Sequence, residues 1–106
     1  MIKLTSMGLE GDKSGIQMTF ANGNTISIQW HELAYSSNRI AGIKIKDGCV
    51  SAEVAIWDEN SMWVTMSNGD RVAGWQDADQ ISKLIQMAST MSVKEIEQIT
   101  IKEEIR

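Results

Sequence analysis

The sequence predicts an α+β domain, an antiparallel β-meander of about five to seven strands with one amphipathic C-terminal helix packed on it. Three observations support this fold. Short segments of alternating apolar and polar residues fill the first two thirds of the chain, Asn-Gly or Asp-Gly pairs separate them, and the last third has a helical period. With 106 residues and 42% apolar content, the chain suits a single globular domain, residues 1–106.

The strands are predicted from period-two alternation, which places every second side chain on the same face of a sheet. Asn22-Gly23 lies between two such segments and is the strongest hairpin signal, because both residues tolerate a positive φ. Asp47-Gly48 and Asn68-Gly69 repeat the pattern further along the chain. The predicted strands are 2–5, 16–20, 25–30, 43–46, 49–57, 61–66 and 71–75.

Two helices are predicted after the meander. Asp77 with Gln80 forms a capping box, and Ile81, Leu84, Ile85 and Ala88 then follow at helical spacing. Ser92 with Glu95 forms a second capping box, which predicts a short helix through about Gln98. Residues 99–102 alternate again and are interpreted as a terminal strand that could pair within the chain or across a dimer. A continuous helix to Ile105 is the alternative.

Composition excludes several classes of protein. The net charge is −4, from 14 acidic and 10 basic residues, and no three lysines or arginines are adjacent, so we expect no extended nucleic-acid partner. No apolar run reaches the roughly 18 residues of a membrane span, and the N-terminal residues do not resemble a signal peptide. The single Cys49 cannot form an internal disulfide. These features predict a cytoplasmic protein without membrane contact.

The residues that could carry catalysis or hold a metal are few. His31, beside Glu32, is the only histidine, and Cys49 has no basic neighbour except Lys46 to lower its pKa. The acidic clusters at 58–60 and 77–79 lack calcium-loop spacing and are interpreted as a turn and a helix cap. The glycine-rich stretch 8–15 lacks the spacing of a phosphate loop. We therefore predict no catalytic residue, no metal and no cofactor.

The segment from Trp30 to Arg39 is the strongest candidate for ligand binding. Two aromatic rings could stack on a planar ligand, Arg39 could clamp a phosphate or carboxylate, and small polar side chains could bind polar edges. An ordinary polar connection with one packed tyrosine is the alternative. The predicted ligand-binding residues are Trp30, Tyr35, Ser37, Asn38, Arg39, Lys44 and Arg71. Whether the four tryptophans pack in the core or bind a ligand stays open at this point.

Several segments together resemble small orphan accessory proteins encoded by tailed bacteriophages. They cover roughly residues 16–87 and include 19–30, 35–38, 51–57, Trp63, 72–76 and then Asp79, Gln80 and Ile81. Most proteins of this kind have no assigned activity, so the resemblance implies a setting more than a mechanism.

That setting implies a non-enzymatic protein that counteracts a host defence, most simply by sequestering a small nucleotide-like signal. Two copies would enclose such a ligand better than one, so we expect a homodimer or higher homo-oligomer. The alternatives are a minor virion or morphogenesis component and an inhibitor that docks on a host defence or regulatory protein. Docking would use acidic residues of an exposed face, namely Glu53, Asp58, Glu59 and Asp70.

Overall fold

A computed structural model describes residues 1–5, 14–31, 33–39 and 48–103 of the chain. Five strands form one antiparallel sheet in which each strand pairs with the next along the chain, so the predicted meander is confirmed. The elements are β1 (Ile2–Thr5), β2 (Gly15–Thr19), β3 (Thr25–Gln29), β4 (Ala52–Trp57), β5 (Val72–Gln76), α1 (Ala78–Thr90) and α2 (Val93–Glu103). Among the described residues, neither helix is long and apolar enough to cross a bilayer.

The predicted Asn22-Gly23 hairpin joins β2 to β3. Gly23 has a φ of 93°, the left-handed conformation that glycine adopts without strain. The turn also caps α1, because the side-chain amides of Asn22 and Asn24 donate to the carbonyl of Ala88 at 2.9 and 3.0 Å. The Asn24 amide donates to Met91 O as well, at 2.6 Å. The hairpin therefore satisfies carbonyls that the helix end leaves free.

The core lies between one face of the sheet and the two helices. In β3 and β4 the register pairs Ile26 with Ile56 and Ile28 with Val54, so these apolar side chains share a face, as the alternation predicts. The buried core residues are Ile26, Ile28, Ala52, Val54, Ile56, Val64, Met66, Ala73, Leu84, Met87, Ala88, Val93 and Ile96.

Helix α1 begins where its capping box predicts. The Asp77 side chain accepts the Gln80 N–H at 2.8 Å, and the Gln80 side chain accepts the Asp77 N–H at 2.9 Å. Leu84 and Ala88 are buried on the sheet, and Ile81 and Ile85 pack at the edge of the core. The predicted apolar stripe is thus the one that contacts the sheet.

The predicted terminal strand at 99–102 is wrong, because α2 continues through these residues. Its start is fixed by the second capping box, in which Ser92 and Glu95 exchange two hydrogen bonds of 3.0 and 3.2 Å. Val93, Ile96 and Thr100 are then buried at spacings of three and four. Alternation of β-branched residues imitated a strand, whereas burial of this stripe against the core favours the helix, which also extends past the predicted end at Gln98.

Two further predictions differ from the structure. Residues 61–66 do not form a strand, and a single bridge joins Trp63 to Trp57. Between these two residues the chain makes a wide turn, in which the Asp58 side chain accepts the N–H groups of Asn60 and Met62. Strand β4 begins at Ala52, which leaves Val50 83% exposed. The predicted strand at 43–46 and Asp47 of the predicted Asp47-Gly48 turn lie outside the described residues; Gly48 itself has a φ of 82°, the positive value expected of glycine in such a turn.

Candidate functional site

The segment after β3 is a compact loop fastened by its own backbone. Ala34 is buried and donates its N–H to His31 O at 3.0 Å, and the chain then closes a single 3₁₀ turn at Ser37–Arg39. His31 is itself buried, and its Nδ1 accepts the Leu33 N–H at 3.1 Å. The ring of the single histidine is therefore engaged in loop structure.

Ser37 and Asn38 tie this loop to the residues that lead into β4. Ser37 Oγ accepts the N–H groups of Val50 and Ser51 at 3.1 and 3.3 Å. Asn38 is only 1% exposed, and its amide donates to Gly48 O at 2.9 Å. Both side chains were predicted to contact a ligand; the structure places them where they hold the loop in position.

Tyr35, Arg39 and Trp75 form an exposed aromatic surface. The rings of Tyr35 and Trp75 lie 5.4 Å apart at 44°, and the Arg39 guanidinium carbon lies 4.5 Å from the Tyr35 ring centroid. Trp75 is 56% exposed and Tyr35 41% exposed, so both rings present apolar area to solvent. The cation and the two rings support one another, since arginine is attracted to the face of an aromatic ring.

A β-bulge in β5 places Trp75 on this surface. The register pairs Ala73 with Val54 and Gln76 with Ala52, so Gly74 and Trp75 together oppose one residue of β4. Trp75 takes a φ of 50°, a conformation that is strained for a bulky side chain.

Contacts between the bulge and the loop hold this geometry. The Trp75 N–H donates to Tyr35 O at 2.7 Å. A Cβ added to Gly74 would lie 2.9 Å from Tyr35 Cβ, so only glycine allows the loop to approach the bulge this closely. The exposed ring is thus fixed by backbone contacts on both sides.

The charge at the aromatic surface comes from Arg39 and Glu53. One Nη of Arg39 donates to Leu33 O at 3.1 Å. Glu53 Oε2 accepts the Tyr35 N–H at 3.0 Å, so this carboxylate is engaged in positioning the loop. The described contacts of Arg39 thus use one of its donors beside an exposed ring.

The other predicted ligand-binding residues lie elsewhere or are not described. Trp30 is half-buried and packs against the core. Arg71 precedes β5, roughly 13 Å along the strand from Trp75 at the usual rise per residue. Arg71 borders a different depression, which Trp63 and α2 also line. Lys44 lies outside the described residues.

A second aromatic pair, Trp57 with Trp63, lies at the opposite end of β4. Its rings are stacked 4.6 Å apart at 30°, and both side chains are partly buried. Of the acidic residues predicted to face a partner, Asp58 and Asp70 accept backbone N–H groups within their own turns. Glu53 likewise accepts a backbone N–H, that of Tyr35, and Glu59 is exposed beside Asp58.

The groups considered for catalysis or metal binding do not converge. Cys49 is exposed at the surface, and partial burial of its thiol raises the pKa above the usual value, which disfavours the nucleophilic thiolate. Within residues 1–5, 14–31, 33–39 and 48–103, no group of three His, Cys, Asp or Glu side chains could hold a metal ion.

Trp75 was not among the predicted ligand-binding residues. Strict alternation from Val72 would place Trp75 on the same face as buried Ala73, and the bulge reverses this. Gly74 inside a strand was the available signal, because an interior glycine marks a bulge or a close approach of backbone. We found no match to the chain among protein-family models, curated proteins or solved structures.

Proposed function

We propose that this protein is a non-enzymatic binding protein that captures a small nucleotide-like molecule on the aromatic surface of Tyr35, Arg39 and Trp75. The proposal rests mainly on Trp75, whose ring is exposed while its backbone has a left-handed conformation. Strained residues persist where the surrounding structure determines them, and they cluster at binding sites. A tryptophan that only packed in the fold would gain nothing from this conformation.

Trp75 provides the stacking platform. Its ring is more exposed than that of Tyr35, whose face is occupied by the Arg39 guanidinium. A planar base would stack on the outer face of Trp75, a contact worth about 1–3 kcal/mol per base in nucleic-acid complexes. Tyr35 would then act as the support behind Trp75 and beneath Arg39.

Arg39 provides the anion contact. Its guanidinium has five N–H donors in a planar fork, of which the described contacts use one. The remaining donors suit the oxygens of a phosphate, which arginine binds in a bidentate manner. A ring and a fixed cation side by side match the two parts of a nucleotide.

The resemblance to small accessory proteins of tailed bacteriophages supports placing this capture in an infected cell. The ligand would then be a signal of host defence, and sequestration requires no catalytic base. We propose a homodimer in which a second copy covers the ligand on its open side, since symmetric dimers are the commonest oligomers. Light scattering with and without ligand would test this: the proposal predicts twice the chain mass in the liganded state, and a monomer there would contradict it.

A thermal-shift screen against cyclic di- and trinucleotides, ADP-ribose derivatives and common nucleotides tests the function. A ligand at about a hundred times its dissociation constant adds about 2.7 kcal/mol, which raises Tm by on the order of 10 °C. We expect Arg39→Ala and Trp75→Gly to abolish the shift and Arg71→Ala, at the other end of β5, to retain it. A flat screen, or an equal shift in all three variants, would overturn the proposal.

A protein partner is the second candidate, and one observation favours it. Leu33, whose carbonyl accepts from Arg39, is 56% exposed and extends the aromatic surface with apolar area. Tryptophan, tyrosine and arginine are the residues that dominate binding energy at protein interfaces. Leu33→Asp separates the two candidates: it would weaken a protein complex at least tenfold and leave nucleotide capture within a factor of two or three.

A further inference from the structure

A cavity of about 340 Å³ lies between the residues that lead into β4 and the first turns of α1. One side of the cavity is formed by Cys49, Val50 and Ser51, which precede β4. The other side is formed by α1. Its volume is at the small end of the range for ligand pockets. The lining residues are Cys49, Val50, Ser51, Gln76, Ala78, Ile81, Ser82 and Ile85.

The cavity wall is predominantly apolar and carries no charged side chain among its lining residues. Val50, Ile81 and Ile85 supply branched aliphatic groups, and Ala78 and Ser82 are small, which leaves the space open. The Cys49 thiol adds no charge near neutral pH, because burial raises its pKa. Such a wall favours a neutral ligand, since a charged one would lose its hydration without a counter-charge.

Gln76 supplies one unsatisfied polar atom in this wall. Its side chain is fully buried, and its amide nitrogen donates to Gly74 O at 3.1 Å. A carbonyl can only accept, so this bond fixes which end of the amide is the nitrogen. Oε1 is then left without a donor among the described residues, and it is buried. Buried acceptors of this kind are rare, and they destabilise a fold unless a partner is supplied.

We propose that this cavity is a binding site for a small neutral, mainly apolar molecule with one hydroxyl or N–H group that donates to Gln76 Oε1. The apolar body would contact Ile81 and Ile85, and the donor would satisfy the buried carbonyl oxygen. The site is separate from the aromatic surface, because it lies on the α1 side of β5 and shares no residue with Tyr35, Arg39 or Trp75. It does not rest on the proposed function.

Phenol and toluene are the probes that test the donor requirement. They share a ring, but toluene lacks the donor and is the more apolar molecule, so the measured quantity is the ratio of their affinities with and without the Gln76 acceptor. We expect phenol to shift the δ1-methyl NMR signals of Ile81 and Ile85 saturably in the wild-type protein. In Gln76→Leu, the affinity for phenol relative to toluene should fall about 3- to 10-fold, the factor of one net hydrogen bond.

Ser82→Trp tests the location of the site. Ser82 is an exposed lining residue, so an indole there would fill the cavity without disturbing the core. Lys83→Trp is the matched control, because the next helical residue lies about 100° around the axis and does not line the cavity. We expect Ser82→Trp to abolish the phenol shifts and Lys83→Trp to keep them. Absence of saturable shifts in the wild type, an unchanged ratio of phenol to toluene affinity in Gln76→Leu, or full binding by Ser82→Trp would each overturn the proposal.

Discussion

The two aromatic pairs of this protein differ in ring geometry, in exposure and in backbone conformation. Trp57 and Trp63 are stacked at 4.6 Å and partly buried, and an antiparallel bridge joins their backbones. Tyr35 and Trp75 are tilted at 5.4 Å and exposed, and Trp75 has a left-handed backbone. The first pair covers the end of the sheet between β4 and the following turn, whereas the second is presented to solvent.

The difference separates two environments for tryptophan within one small domain. A partly buried stacked pair removes apolar area from water and needs no unusual backbone. An exposed ring on a strained backbone removes little apolar area from water, which is why we propose a binding role for Trp75. Substitutions in the two pairs should therefore have opposite consequences for stability and for binding.

Trp57→Ala should produce the largest loss of stability. Truncating a tryptophan in a core costs about 3–5 kcal/mol, and a partly buried one should cost about 2–3 kcal/mol because less area is lost. For a domain of this size Tm would fall by on the order of 10 °C. Urea unfolding followed by circular dichroism measures this loss. A decrease below about 1 kcal/mol would show that the Trp57–Trp63 pair does not stabilise the fold.

Gly74→Ala should disturb the second pair through its support. The new Cβ would lie 2.9 Å from Tyr35 Cβ, so the loop must move away from the bulge. We expect a loss of about 1–2 kcal/mol in unfolding free energy, typical of an overpacked contact. The indole N–H NMR signal of Trp75 should shift while that of Trp57 stays in place. Unchanged Trp75 resonances would contradict the close approach.

The start of α2, which lies near the Trp57–Trp63 pair, should make a smaller contribution to stability that depends on pH. Trp63 lines the same depression as Val93 and Glu97 of α2. The hydrogen bonds with the Ser92 backbone and side chain lower the pKa of the Glu95 carboxyl below its usual value of 4.5. A lowered pKa means that the stabilisation is present at neutral pH and is lost as the pH falls below about 4.5.

Glu95→Gln should therefore be slightly less stable than the wild type at pH 7 and equal to it near pH 3. Urea midpoints at both pH values measure the gap. A gap of the same size at both pH values would contradict the role of the Glu95 carboxylate.

Much of the fold could be predicted from local signals in the sequence. Asn22-Gly23 and the capping box at Asp77 are short-range patterns whose geometry depends on neighbouring residues, and both were confirmed. Residues 99–102 were predicted wrongly, because β-branched alternation does not show whether a helical stripe is buried by distant elements. Burial of Ile96 and Thr100 against the core decides that case.

The candidate surface was predictable only in part, for the same reason. Tyr35 and Arg39 lie in one loop with aromatic and polar residues, and both were predicted from the composition of that segment. Trp75 joins them through a bulge and a backbone hydrogen bond between residues 40 positions apart in the chain. The sequence does not show whether Ser37 and Asn38 bind a ligand or the protein's own backbone. In the structure both side chains form hydrogen bonds with the backbone of residues 48–51.

The unfolding free energy of Trp75→Gly tests whether the exposed Trp75 ring serves binding and not the stability of the fold. Glycine adopts the left-handed conformation freely, so the variant relieves strain and loses only the contact between the two exposed rings. We predict a variant as stable as the wild type, or more stable by up to about 1 kcal/mol. A loss of more than about 1 kcal/mol would show that Trp75 stabilises the fold as Trp57 does, and it would contradict the proposal that the exposed ring serves binding.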